Sequence, residues 1–196
     1  GAVSVARYGV PAKLLEVVEL PLRSIGAAVY PELSRLHQQG DLEGMRTVFL
    51  RKAVRVTAAV LPFVILSALF AEPLIILMGG EQYRDTVPIL YLFLAYCLLV
   101  PFDRFSGILL DSLNRPDYNM LKVWVMLAVN IAADITALTL FGTAESIAAA
   151  SLVTYSAGTA MNVMMIRSVT GWKQFSRTGW SSSLRAMLRN AGGTIR

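Results

Sequence analysis

Four charged side chains stand inside one apolar stretch near the start of the chain: Lys13, Glu16, Glu19 and Arg23. On a helix turning about 100° per residue, Glu16, Glu19 and Arg23 fall within roughly 60° of arc, and Lys13 lies about 60° beyond Glu16. A charge in the middle of a membrane helix costs about 2.5–3.5 kcal/mol on insertion scales unless it pairs or faces a wet cavity. Lys13 with Glu16 (i, i+3) and Glu19 with Arg23 (i, i+4) have the spacing of local ion pairs. Two further readings stay open. Lys13 and Arg23 could line a cavity and hold phosphate or acidic groups, Arg through its planar fork and Lys as a point charge. The helix could also lie near head groups.

Three more charged positions interrupt apolar runs. Asp103 and Arg104 follow Pro101, with Asp111 two turns on. A local Asp–Arg interaction at a proline kink is one account, and a polar cavity wall is the other. Asp134 has no nearby cation in sequence, which suits either structural hydrogen bonding or coupling to a proton or cation. Enzyme signatures are missing from the sequence: it has no glycine-rich phosphate loop, no His–acid metal spacing and no nucleophile beside a base. The expectation is a non-enzyme that needs no cofactor. The single cysteine, Cys97, builds no disulfide and reads as a small apolar side chain.

The elements carrying these residues are membrane helices by composition. Hydrophobic residues make up 55% of the chain and charged residues 16%, against roughly 25% charged in an average soluble domain. Mean hydropathy is +0.56. A span needs about 20 mostly apolar residues, and five segments qualify, at about 10–30, 54–78, 86–111, 118–141 and 146–166. The last is rich in Ala, Ser and Gly, which let helices approach closely. Pro62, Pro73 and Pro101 fall inside spans, where kinks are tolerated. No strand alternation persists, so the fold class is all-α, a polytopic membrane bundle.

The connections are unequal. Residues 34–55 are charged, and 41–56 have the spacing of a short helix lying on the membrane surface. GGEQYRD (79–85), NRPD (114–117) and FGTAE (141–145) read as tight turns. The net charge of +5 sits beside apolar runs with no basic–aromatic face, so orientation in a membrane explains it better than nucleic-acid binding. Arg35, Arg46, Arg51, Lys52 and Arg55 mark one cytoplasmic connection. Arg115 with nearby Lys122 marks a second, and the basic tail over 170–196 marks the C-terminus. That pattern needs an odd number of spans, which five supplies. In the tail, Ser181–Ser183 beside Trp180 suit a membrane surface. The chain starts at Gly1 without Met or a leader, and is expected to be part of a longer protein.

Several stretches add a resemblance. ARYGVPAKLLEVVELPLRSIGAAVYPELSRL (6–36) is followed by the glycine–acid loop QQGDLEGMR and the basic helix start FLRKAVRV. Then come FAEPLIILMGGEQYRDTVPILYLF (70–93), GILLDSLNRPDYNML (107–121), and Asn130, Asp134 and Gly142. In order and loop length this set resembles the polysaccharide and O-antigen flippase branch of the multidrug/oligosaccharidyl-lipid/polysaccharide exporter superfamily. It departs from the family at Asp103 and Arg104, where that pattern is mostly small or apolar. The resemblance extends to about residue 169. It implies the C-terminal lobe of a two-lobed transporter, whose N-terminal lobe would be a partner. It implies a substrate of undecaprenyl-pyrophosphate-linked oligosaccharide, moved across the bacterial cytoplasmic membrane by alternating access. Membrane lipids would surround the lobe, and a polymerase or ligase of the glycan pathway is a further partner to consider. Rivals are a cation-coupled drug exporter of the same superfamily, a membrane-embedded glycosyltransferase or polymerase subunit, and a scaffold for glycan assembly.

Overall fold

The computed structural model describes residues 2–172, and they form six α-helices and one 3-10 turn with no strand among them. The basic tail, from Lys173 to Arg196 with Trp180 and Ser181–Ser183, lies outside the described residues. In order come α1 (Ala2–Gln38), α2 (Leu42–Leu69), α3 (Ala71–Gly79), the 3-10 turn Glu81–Thr86, α4 (Val87–Ser112), α5 (Pro116–Leu140) and α6 (Ala144–Thr170). The all-α expectation holds. Three stretches are long and apolar enough to cross a membrane: Leu42–Leu69, Glu81–Ser112 and Pro116–Leu140. Helices α1 and α6 have the length, at 37 and 27 residues, but α1 carries charges throughout and α6 many small polar residues.

The second predicted span needs correction at both ends. Residues 41–56 do not form a separate surface helix; 42–56 are the first half of α2, so Arg51 and Arg55 lie within a helix and the connection shrinks to 39–41. The Asp41 carboxylate caps the new start by accepting from the Gly44 N–H at 2.8 Å. At the other end the helix stops at Leu69, where a kinked but continuous span was expected. Pro73 has no N–H to offer the Leu69 carbonyl. The ladder loses that one bond, although Phe70 still donates to Leu66 and accepts from Leu74; Phe70 turns out of helical geometry, and Pro73 sits in the first turn of α3. The Tyr91 hydroxyl donates to the neighbouring Ala68 carbonyl across the gap. The other three predicted turns are observed, with Gly80, Asn114 and Gly142 all at positive φ.

Helix α4 is the centre of the bundle and packs on α1, α2, α3, α5 and α6. It buries Leu90, Leu94, Cys97, Phe105, Leu109 and Leu110. On α1, buried Leu14, Val18, Leu22, Val29 and Leu33 repeat every four or seven residues, making one stripe that meets α4. Gly26 lies on this stripe, and a Cβ there would sit 2.7 Å from Ile108 Cδ1. Helix α5 packs chiefly on α6 and turns most of its apolar residues outward, including Met120, Trp124, Ile131 and Leu138. That outward face suits lipid.

The α5–α6 contact depends on close approach. A Cβ on Gly158 would lie 2.5 Å from Met126 Sδ and 3.1 Å from its Cγ. Between membrane helices, packing rather than the hydrophobic effect supplies most of the attraction. Gly158→Ala should be tolerated as Met126 changes rotamer, whereas Gly158→Leu should destabilise by about 1–3 kcal/mol through overpacking. Detergent-resistant thermal melting would test this, and equal melting of the Leu variant and the wild type would disprove it.

Candidate functional site

Helices α1 and α5 flank two half-open cavities that α4 backs. The first, about 430 Å³, is lined by Tyr8 and Glu19 of α1, Phe93 and Tyr96 of α4, Asn130 of α5, and Ser151, Thr154 and Tyr155 of α6. Rings and hydroxyls share it with aliphatic side chains such as Leu15, Leu92 and Met126. Tyr8 meets Phe93 edge-on at 5.1 Å between centroids, and the Tyr8 hydroxyl and Ser151 are 3.2 Å apart. Tyr96 and Tyr155 stack at a tilt, 4.1 Å apart. The second cavity, about 370 Å³, is lined by Arg23 and Tyr30 of α1, Asp103, Arg104 and Asp111 of α4, and Asn119 and Lys122 of α5. It is the ionic one.

Glu19 stands between them. Its Oε2 meets Nη2 of Arg23 and Nη2 of Arg104, each at 3.5 Å. Its Oε1 accepts from the Tyr96 hydroxyl at 3.4 Å. The Glu19–Arg23 pair expected from i, i+4 spacing is thus formed, with a second guanidinium from α4 added to it. Lys13 and Glu16 are exposed and make no ion pair among the described residues, so the companion i, i+3 pair does not form. Neither lines either cavity.

Asp103 and Arg104 part company. Adjacent residues on a helix point about 100° apart, so Arg104 turns to Glu19 while Asp103 faces the bundle. There the Asp103 Oδ1 accepts from Lys122 Nζ at 3.0 Å and from Asn162 Nδ2 at 2.8 Å. The local Asp–Arg pair near Pro101 is therefore replaced by a tie among α4, α5 and α6. Lys122, expected beside the 114–117 turn, is in fact buried, its side chain only 7% exposed. Asp111 accepts from Asn119 at 3.4 Å, adding a weaker link between α4 and α5.

Asp134 lies on α5 beyond both cavities and is half-buried. Its Oδ1 has no hydrogen-bond partner among the described residues, nor do Oδ1 of Asn162 and Oγ of Ser106. No group of three His, Cys, Asp or Glu side chains among the described residues could hold a metal ion.

Sequence reasoning missed Tyr96, Tyr155, Lys122 and Asn162 as site residues. Two of them carried a signal. Lys122 interrupts the apolar run MLKVWVML and Asn162 interrupts AMNVMM, and a polar side chain inside a span faces a partner or a cavity as a rule.

Chemically, the arrangement offers two guanidinium groups in an ionic cavity beside one lined by rings, hydroxyls and aliphatic side chains, all on helices of a membrane-type bundle. It has binding groups for an anion and for a polar ring. No family model matches this chain, and no curated protein or solved structure is detectably similar to it.

Proposed function

We propose that this chain is part of a membrane transporter that flips a lipid-linked oligosaccharide, with its anionic pyrophosphate, between leaflets for capsule, exopolysaccharide or O-antigen assembly. The observation that carries this reading is the Arg23–Arg104 pair, which lines the ionic cavity and meets Glu19 of the neighbouring one. Planar forks suit phosphate oxygens, and the rings and hydroxyls of the neighbouring cavity suit a sugar. The resemblance of 6–36, 70–93 and 107–121 to the polysaccharide flippase branch supports the same reading. In this proposal α1 and α6 also cross the membrane, giving five spans with the C-terminus cytoplasmic in a bacterial inner membrane. An N-terminal lobe would complete the cavity, and rocking of the two lobes would give alternating access.

A cation-coupled exporter is the second reading, favoured by the unpartnered carboxylate oxygen of Asp134. Lipid analysis of cells lacking the gene separates the alternatives. Accumulation of completed lipid-linked oligosaccharide in the inner leaflet, reversed by the wild-type gene, is the expected result. A normal leaflet distribution would reject the flippase, and short or missing chains would indicate a role in synthesis.

A further inference from the structure

The three contacts that hold Glu19 are all loose. Strong Arg–carboxylate pairs close to about 2.7–2.9 Å, and in this chain Arg7–Asp85 and Arg115–Asp117 do so at 2.9 Å. Glu19 stays at 3.5, 3.5 and 3.4 Å from its three partners. Separations of that size also occur at Arg46–Glu43, where the carboxylate is 75% exposed and water competes. The Glu19 side chain is only 24% exposed, so its carboxylate is the drier partner, while water reaches the guanidinium groups of Arg23 and Arg104, 64% and 44% exposed. The carboxylate sits between two cations on different helices and is seated fully on neither.

Charge and position point the same way. Two guanidinium groups face one carboxylate, leaving one positive charge over at the Glu19 contact; elsewhere in the ionic cavity Lys122 is matched by Asp103, and Asp111 adds one more carboxylate. A dianionic phosphate or pyrophosphate group matches the arginine pair better than a monoanion does, and it brings more acceptor oxygens to the two forks. Glu19 lines the aromatic cavity, whereas Arg23 and Arg104 line the ionic one. The carboxylate thus lines one cavity while its two ionic partners line the other.

We infer that Glu19 is a displaceable internal counter-ion. It occupies the Arg23–Arg104 anion seat until a phosphate-class dianion takes its place. This rests on the reading that the arginine pair receives the substrate's anionic group. The consequence is a site that is occupied by its own protein when empty, so affinity for the anion is held down by a competitor on the neighbouring turn of α1.

The test is binding to the full chain in nanodiscs of neutral phosphatidylcholine at low ionic strength, where exposed charges are least screened. Two probes are used: inorganic pyrophosphate from solution, and a short prenyl pyrophosphate in the bilayer. Glu19→Gln removes the competing charge at nearly constant size and should tighten binding about tenfold, the scale of one charge-assisted hydrogen bond. Glu19→Asp keeps the charge but draws it back by one methylene, so a smaller tightening is expected and the inference stays testable if the Gln variant folds poorly. Adding Arg104→Gln to either variant should abolish the gain. Tightening in both arms identifies a seat open to phosphate from solvent. Tightening with the prenyl probe alone identifies a lipid head-group seat, and both results support the counter-ion. Equal binding by wild type and both Glu19 variants would overturn it while leaving the anion site standing. Absence of binding by every protein with both probes would remove the anion site as well.

Discussion

Lys122→Met is expected to lower stability by about 3–5 kcal/mol, because it strands the Asp103 carboxylate inside the bundle. In the wild type that carboxylate has two partners, Lys122 on α5 at 3.0 Å and Asn162 on α6 at 2.8 Å. The side chains of Lys122 and Asp103 are 7% and 19% exposed, so water cannot replace the lost ammonium cheaply. Asp103→Leu alone should be damaging for the mirror reason, leaving a buried ammonium. The double variant Asp103→Leu/Lys122→Met should recover most of the loss, since an apolar pair of similar volume is often as stable as the buried ion pair it replaces. Thermal melting of the purified protein in one detergent tests the full cycle. Single variants that melt with the wild type, or a double variant no better than either single, would show that the tie among α4, α5 and α6 does not hold these helices.

The second large effect follows from the proposed flippase reading. Arg23→Gln with Arg104→Gln should slow the flipping of a labelled prenyl-pyrophosphate saccharide in proteoliposomes by about a hundredfold. A hydrogen bond to a charged group contributes about 1.5–3 kcal/mol, and each 1.4 kcal/mol is tenfold. Arg104 should account for the larger share. It is the less exposed of the two, 44% against 64%, and solvent weakens the other more. The melting temperature should change little, because the pairs with Glu19 are long and partly wet. A double variant that flips within twofold of the wild type would remove the arginine pair from the transport cycle.

Much of the helix layout was legible because breakers stand at the right places. Pro116 and Gly142 bracket α5, and Gly79–Gly80 ends α3. The misreadings have separate physical causes. No breaker lies between the charged stretch 41–56 and the apolar stretch after it, so one helix runs through both. Pro73 does more than kink, since its missing N–H coincides with a position where Phe70 can leave the helix. Lys122 was assigned to a surface turn by its closeness in sequence to Arg115, although six residues of helix carry it about 9 Å inward. The Glu19–Arg23 pair was readable from spacing alone. Arg104 to Glu19, and Lys122 with Asn162 to Asp103, join residues 19–85 positions apart. Such partners are set by which helices become neighbours, and one sequence without that geometry does not name them.

The gap at Phe70 has a mechanical consequence. Bending a continuous helix means stretching or breaking its carbonyl–amide ladder in hydrocarbon, where a lost bond has no water to replace it. At Phe70 that ladder is thinned rather than broken: Phe70 still donates to Leu66 and accepts from Leu74, each at 3.0 Å, while the Leu69 carbonyl faces a proline with no N–H. A bend placed there would cost fewer such bonds than one elsewhere in α2 or α3. It would be read as a changing angle between α2 and α3 while both helices keep their length.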